Sequence, residues 1–143
     1  MMGETNSGSK GVEAFEDLHI FKEARKLTSC IWSITRGQPF SRDQVLVNQV
    51  RRATLSIASN IAEGFERQSD KDFARFLVIA KGSCGEVRAQ LLIAMDQQYI
   101  TKEQYSELGG AARQISAGLA NLARYLKSKG ERVKESKSQK VEE

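Results

Sequence analysis

The sequence predicts an all-α protein, an antiparallel up-down-up-down four-helix bundle. Four segments carry apolar residues at alternating three- and four-residue steps, which is the spacing of one face of a helix. Capping motifs or a Gly-Pro pair separate these segments, and the connections are short, as in bundles of neighbouring antiparallel helices. The chain has 143 residues, which favours one domain.

The first helix is predicted over 17–36, where Leu18, Ala24 and Ile31 lie on one stripe. Gly37 and Pro39 end it, because proline cannot continue a helix. Ser41 and Gln44 have the spacing of a capping box, which predicts a second helix from Arg42 to about Glu63, with Gly64 as its C-terminal stop.

The third and fourth helices are predicted from the same two signals. Ser69 and Asp72 precede an apolar stripe that continues to about Gln98. Thr101 and Gln104 form a capping box before the most regular stripe in the chain, which ends near Lys129. Residues 15–129 are therefore predicted to form the bundle, between a disordered N-terminal extension (1–14) and a disordered charged tail (130–143).

Composition limits the location and the chemistry. No apolar run approaches the ~18 residues of a membrane span, and the polar start lacks a signal pattern, so we expect a cytoplasmic protein with no membrane partner. Cys30 and Cys84 sit where the helical pattern needs small apolar residues, and both are predicted to be buried thiols.

Neither a metal centre nor a catalytic group is expected. His19 is the one histidine and is predicted to be exposed in the first helix. A metal site or a His-based triad needs further His or Cys ligands or partners, so we expect no cofactor, no small-molecule substrate and no enzyme activity. A composite site in which several His19 copies meet around an oligomer axis is the alternative.

Positive charge is concentrated in the predicted bundle. Residues 17–129 hold seventeen Lys and Arg against eleven Asp and Glu, a net charge of +6, whereas 130–143 has four of each. Five of these cations lie around the second helix and its connection to the third. We call them the predicted basic cluster and expect them to contact nucleic-acid phosphates: Arg51, Arg52, Arg67, Lys71 and Arg75.

A structural alternative explains the same segment. Arg52 would pair with Glu63 or Glu66, while serines let a neighbouring helix pack closely. Two mid-helix glycines point to close approach too, either inside the bundle or from another subunit. Seven residues are accordingly predicted to have interface or structural roles: Ser56, Ser59, Asn60, Glu63, Gly64, Gly82 and Gly85. Apolar Leu55, Val78 and Leu92 fall outside the core stripes and suggest a subunit interface.

These residues resemble a known family. The Gln49-Val50-Arg51-Arg52-Ala53 segment, the Asn60–Phe65 segment and the Lys71-Asp72-Phe73 segment are similar to the four-helix-bundle proteins encoded in intervening sequences of bacterial 23S ribosomal RNA genes. The resemblance covers about 15–127. One departure is Ala58-Ser59, where many such chains have a proline.

The resemblance implies a homopentamer, and it extends to the accessory variability proteins of diversity-generating retroelements. Those proteins bind nucleic acid and a reverse transcriptase. We therefore expect a non-catalytic RNA- or DNA-binding oligomeric scaffold, accessory to a reverse transcriptase or linked to a 23S rRNA intervening sequence. The alternative is a protein-only adaptor that never contacts nucleic acid.

Overall fold

The computed structural model describes residues 11–142, with side chains over 11–130. Within them it is all-α, with no strand. The four helices are α1 (His19–Arg36), α2 (Gln44–Phe65), α3 (Asp70–Asp96) and α4 (Lys102–Glu142), with short 3-10 helices at Phe15–Asp17 and Phe40–Arg42. Most of the predicted N-terminal extension, 1–10, lies outside the described residues.

One apolar core joins the four helices. Each helix packs on the next, and α1 also contacts α4. Most residues of the predicted core stripes are buried, because alternating three- and four-residue steps place side chains on one helix face. In α1, Ile20 and Leu27 are also buried although they lie outside the predicted stripe. Fully buried members of the core are Ile31, Val50, Ile57, Leu77, Leu91, Ile115, Leu119 and Leu126. The α1–α4 contact is looser than the others and leaves an open groove of about 1220 Å³.

Two of the predicted caps are confirmed. The Ser69 hydroxyl accepts a hydrogen bond from the Asp72 amide at 3.1 Å. At the start of α4 the bonds are reciprocal: the Gln104 amide donates to Thr101 Oγ1 at 3.0 Å, and the Thr101 amide donates to Gln104 Oε1 at 2.8 Å. A capping box satisfies two helix-end donors at once, which fixes where α4 begins.

The predicted start of α2 is wrong by two residues. Asp43, not Ser41, is the N-cap, and its carboxylate accepts from the Leu46 amide at 3.1 Å. Ser41 lies inside the 3-10 helix at Phe40–Arg42, and its carbonyl accepts from the Gln44 side chain. A carboxylate competes well for this position because it also interacts favourably with the helix dipole.

Asp43 also ties two connections of the bundle together. The Tyr99 hydroxyl donates to its second carboxylate oxygen at 2.9 Å, and the Tyr99 ring stacks on buried Phe40 with centroids 5.3 Å apart. The hydrogen bond to Asp43 raises the pKa of Tyr99 above its ordinary value. The α1–α2 connection is thereby held against the α3–α4 connection.

Helix α4 is longer than predicted. It continues to Glu142 and so includes 130–142, for which the sequence predicts a disordered tail. That assignment used the lack of an apolar stripe, but Lys, Glu and Gln favour helical backbone even without one. Where α4 passes the start of α3, Lys129 Nζ lies 3.4 Å from Asp70 Oδ2.

The two cysteines differ, although both were predicted to be buried. Cys84 is fully buried, whereas Cys30 is exposed on α1 at the edge of the α1–α4 groove. The prediction for Cys30 is wrong because it rested on the helical pattern alone, and that pattern does not record the groove between α1 and α4. In the part of the chain that the structure describes, no helix has the length and apolar character needed to cross a membrane.

Candidate nucleic-acid interface

Arg51 of the predicted basic cluster is held in the α1–α2 contact. Its Nε donates to Thr35 Oγ1 at 2.9 Å, and its guanidinium carbon lies 4.9 Å from the centroid of the Trp32 ring. The buried Thr35 hydroxyl donates in turn to the Ile31 carbonyl at 2.6 Å. These contacts give Arg51 a structural role, with only part of its guanidinium left for a ligand.

Arg67 and Arg75 meet at one aromatic ring. Each guanidinium carbon is 4.7 Å from the centroid of Phe76. Each also has a carboxylate partner: Arg67 Nη2 lies 2.9 Å from Glu63, and Arg75 Nε lies 3.5 Å from Asp72. The structural alternative paired Arg52 with Glu63 or Glu66, but the partner of Glu63 in the structure is Arg67.

Arg52 and Lys71 are exposed and have no described carboxylate within 4.0 Å. The predicted basic cluster does not form one surface, because Arg52 lies about 20 Å of helix, at ~1.5 Å per residue, before the end of α2 at Phe65. Over 63–75 the three cations Arg67, Lys71 and Arg75 are outnumbered by four carboxylates. The structure therefore disperses the predicted basic cluster and neutralises its densest part.

A polar contact joins α2 and α3 beside this cluster. The hydroxyls of Ser56 and Ser83 are 2.9 Å apart, and the Asn60 side-chain amide donates to the Ser56 carbonyl at 2.8 Å. Ser59 is exposed. Ser56 and Asn60 therefore make their contacts within one chain.

The three glycines differ in what surrounds them. A Cβ on Gly64 would lie 2.7 Å from Phe76 Cβ and 3.0 Å from Phe73 Cδ1, so only glycine lets α3 approach α2 here. Gly82 and Gly85 have nothing within 4 Å of an added Cβ. Close approach inside the chain therefore explains Gly64 and does not explain Gly82 or Gly85.

The positive surplus lies on other helices. Residues 19–36 of α1 hold four Lys and Arg against one Glu, and residues 102–129 of α4 hold five against two. By contrast, α2 holds two Arg against one Glu, and α3 holds four Lys and Arg against four carboxylates. The net charge of +6 on 17–129 is therefore supplied by α1 and α4.

A row of cations runs along the α3–α4 side of the molecule. On α4, Arg113 and Arg124 are eleven residues apart, which is three helical turns, and Lys127 follows one turn later. On α3, Lys81 and Arg88 are seven residues apart, or two turns. We call these five residues the basic seam: Lys81, Arg88, Arg113, Arg124 and Lys127.

Contacts on both helices place the seam. Ser83 and Phe76 face α2, and Lys81 and Arg88 lie on the opposite flank of α3, towards α4. On α4, Gly118 faces α1, because an added Cβ there would lie 2.9 Å from Ile20. By helical spacing, Arg113 and Arg124 lie on a different side of α4 from Gly118. By helical spacing, both sets of cations therefore lie on the α3–α4 side of the molecule, with Arg124 turned farthest from the core stripe of α4.

The seam cations lack ionic partners among the described side chains. No described carboxylate lies within 4.0 Å of any of the five, and the Arg124 guanidinium donates to the neutral Asn121 side chain at 3.0 Å. An unpaired cation on the surface can neutralise a phosphate without first giving up a carboxylate. The sequence carried one usable signal for this surface, the eleven-residue spacing on α4.

Beneath the seam lies the second thiol. Burial raises the pKa of Cys84 to about 11, while the positive charges of Lys81 and Arg88 act against that rise.

His19 is exposed, with Nε2 3.5 Å from Glu23. Among the described residues no group of three or more His, Cys, Asp or Glu side chains could hold a metal ion.

Comparison with known proteins places the chain in a family. No curated protein matches it. Among solved structures it is similar to a protein with unknown function from the S23 ribosomal protein family of Bacteroides thetaiotaomicron, at 24% identity and a TM-score of 0.69, over 73% of this chain and 95% of that one. The model of the 23S rRNA-intervening sequence proteins matches residues 16–121. The chain therefore belongs to the 23S rRNA-intervening sequence protein family.

Proposed function

We propose that the protein is a non-catalytic, oligomeric scaffold of the cytoplasm that binds nucleic acid through the basic seam. The carrying observation is that none of the five seam cations has a described carboxylate within 4.0 Å. Phosphate contacts by such cations supply most of the affinity in binding without sequence preference.

The proposal includes the antiparallel order of the helices. Two contacts support it: Tyr99 with Asp43 at one end of the molecule, and Lys129 with Asp70 at the other. With α3 and α4 running in opposite directions, Lys81 and Arg88 lie beside the middle of α4, and Arg124 and Lys127 lie beside the first turns of α3. The seam then follows most of the length of the bundle.

Structured RNA is the first ligand to test, since the family is named for intervening sequences of 23S rRNA. Helical RNA is recognised mainly through its backbone and shape, which a row of cations on rigid helices suits. A reverse transcriptase as protein partner, and the pentamer, are further parts of the proposal that come from the family resemblance. A protein-only adaptor is the competing function.

The test measures the affinity of the full chain for an RNA hairpin and for a DNA duplex across a salt series. The variant is Arg113→Gln/Arg124→Gln/Lys127→Gln. Its matched control, Lys22→Gln/Arg25→Gln/Lys26→Gln, removes the same charge from α1. Each lost phosphate contact should reduce the slope of log affinity against log salt by about 0.9 on a duplex, so the seam variant should lose up to about 2.7.

Circular dichroism of both variants checks that the helices remain. Equal losses of affinity in the seam variant and in the α1 control would indicate only a general effect of charge. That result would overturn the seam as the binding surface. Absence of binding by the unaltered protein at low salt would overturn nucleic-acid binding itself and favour the adaptor.

A further inference from the structure

The outer sides of α2 and α3 carry most of the exposed apolar surface of the described side chains. Seven large apolar residues over 11–130 are at least 40% exposed, and six of them lie on these two helices. They are Val45 and Leu55 on α2, and Val78, Ile79, Leu92 and Ile93 on α3. A surface helix of a monomer normally places polar residues on its outer side. The distribution indicates that both helices pack against a further surface.

The outer side of α3 has a hollow at its centre. By helical spacing, five residues point most directly away from the core, and we call them the α3 outer face: Val78, Gly82, Gly85, Ala89 and Ile93. Gly82 and Gly85 have nothing within 4 Å of an added Cβ. Glycine inside a helix destabilises it, and no described contact within the chain explains these two. The hollow between Val78 and Ile93 suits a large side chain that enters from another surface.

The outer side of α2 has a complementary shape. We call its central residues the α2 outer face: Val45, Asn48, Arg52, Leu55 and Ser59. Leu55 is 50% exposed and is the one large apolar side chain in the middle of this face. The α2 outer face therefore presents a projecting residue where the α3 outer face presents a hollow.

Two contacts between α2 and α3 show which of their residues are level along the bundle. The hydroxyls of Ser56 and Ser83 are 2.9 Å apart, and an added Cβ on Gly64 would lie 2.7 Å from Phe76 Cβ. Eight residues forward on α2 therefore correspond to seven residues back on α3.

The same levels apply between copies in a ring. Copies related by rotation about an axis along the bundle are not displaced along that axis, so residues that are level within one chain are also level between neighbours. Leu55 is then level with Gly85 of the next copy, in the middle of the hollow. Val45 is within two residues of the level of Ile93. The projecting leucine thus meets the glycines, and two exposed apolar residues meet beyond it.

From this match we infer that the α3 outer face of one copy binds the α2 outer face of the next copy, with Leu55 seated in the hollow at Gly82 and Gly85. Because two different faces meet, the contact is head-to-tail and generates a ring when its rotation closes. Helices α2 and α3 occupy neighbouring corners of the bundle, so their outer sides point about a right angle apart, which suits a small ring such as a pentamer. The inference rests on the oligomer of the proposed function and names the contact that forms it.

Charges at matching levels are complementary. Arg52 lies within two residues of the level of Glu86, and both are exposed with no described ionic partner within 4.0 Å. Glu66 and Lys71 are likewise exposed, and their levels differ by less than one turn. Exposed pairs contribute little to affinity, but like charges would oppose a wrong register. The charge pattern therefore favours the register that seats Leu55 in the hollow.

The ring leaves the basic seam accessible. The side of a subunit between its two contacts faces the ring axis, and here that side is the α2–α3 boundary with the Ser56–Ser83 contact. The α3–α4 side, which carries the seam, lies outside the arc between the contacts. The proposed contact is therefore compatible with nucleic-acid binding through the seam.

Substitution of Leu55 tests the projecting residue. Light scattering of the full chain over a range of concentrations should give a closed particle. Leu55→Glu should raise the concentration needed for assembly by at least about tenfold, because an unpaired charge in the hollow is strongly unfavourable. Tyr125→Glu is the control, since Tyr125 is 40% exposed and lies on α4, outside both faces.

The outcomes separate the contact from the oligomer. Unchanged assembly of Leu55→Glu, with helicity intact by circular dichroism, would overturn the contact and leave the oligomer of the proposed function standing. A monomer of the unaltered chain at every concentration would overturn both.

Filling the hollow tests the other face. Gly85→Met places a side chain where Leu55 would sit, while it removes a mid-helix glycine and so stabilises α3 itself. Assembly should weaken by at least about tenfold without loss of helicity, because the contact becomes overpacked. Gly110→Met is the matched control, since Gly110 has the same open space but lies on α4. Equal assembly of the two variants would contradict the hollow.

Mixed chains test the register and distinguish contacts between copies from contacts within one. Arg52→Glu and Glu86→Arg should each weaken assembly, because like charges then meet between copies. An equimolar mixture of the two variants should restore it, since each chain supplies the charge that the other lacks, whereas a contact within one chain is unchanged by mixing. A mixture that assembles no better than either variant alone would overturn the register.

Discussion

The predicted basic cluster and the basic seam each contain five cations, yet their surroundings differ: three of the five in the cluster are held by partners within the chain. Arg67 and Arg75 have carboxylate partners, and Arg51 is held by Thr35 and Trp32. In the seam, no described carboxylate lies within 4.0 Å of any cation. Arginines that are close in the sequence can thus stabilise the fold through contacts within the chain. Cations spread over two helices can instead remain accessible to a ligand.

Of the substitutions that compare the two regions, Gly64→Ala should lower the free energy of unfolding most. The added methyl would clash with Phe76 and Phe73, because α2 and α3 are in contact there. Overpacking of this kind typically costs about 1–3 kcal/mol of unfolding free energy. Urea denaturation measures it. The control is Gly110→Ala, which has open space and should stabilise the helix by up to about 1 kcal/mol.

Arg51→Gln should lower stability more than it lowers nucleic-acid affinity. It removes the donor to Thr35 and the cation over the Trp32 ring, a loss of about 1–2 kcal/mol for a partly buried charged hydrogen bond and ring contact. Arg52→Gln is the matched control and should leave the unfolding free energy nearly unchanged. Equal stability losses in the two variants would contradict the structural role of Arg51.

Ser56→Ala should have a smaller effect on the same side of the molecule. It removes the hydroxyl that contacts Ser83 at 2.9 Å and Asn60 at 3.0 Å. Ser83 keeps a longer contact with the Ile79 carbonyl, so the expected loss is about 1 kcal/mol. Thermal unfolding measures the change. Ser59→Ala, at an exposed position, should lie within about 0.5 kcal/mol of the unaltered protein.

Thiol labelling should distinguish the two cysteines without any change in stability. At pH 8 Cys30 should react readily because it is exposed. Cys84 should not react, because it is buried and its pKa is about 11, which leaves very little thiolate. A disulfide reagent should therefore titrate one thiol per native chain and two in denaturant. Rapid reaction of both native thiols would contradict the packed layer beneath the seam.

Much of the fold followed from local sequence signals. The stripes of α3 and α4, the Ser69 cap and the Thr101–Gln104 box are short-range patterns, and each was predicted correctly. The start of α2 was missed because Ser41 and Asp43 both suit a cap, and Asp43 also accepts a hydrogen bond from Tyr99 across the bundle. Such contacts join residues far apart in the chain, and no local pattern contains them.

The site was less predictable than the fold. Helical spacing shows which residues share a face, so it could have grouped Arg113, Arg124 and Lys127. It does not show that Lys81 and Arg88 lie across the boundary, since that depends on helix order and packing. The exposure of Cys30 likewise depends on the loose α1–α4 contact, which periodicity does not record.

The basic seam has a consequence for valency. In an oligomer each copy of the chain contributes its own seam, so a long RNA could engage more than one seam of the same particle. The second engagement would be intramolecular, which raises avidity without a new contact. A short RNA hairpin would engage one seam and would gain nothing from assembly.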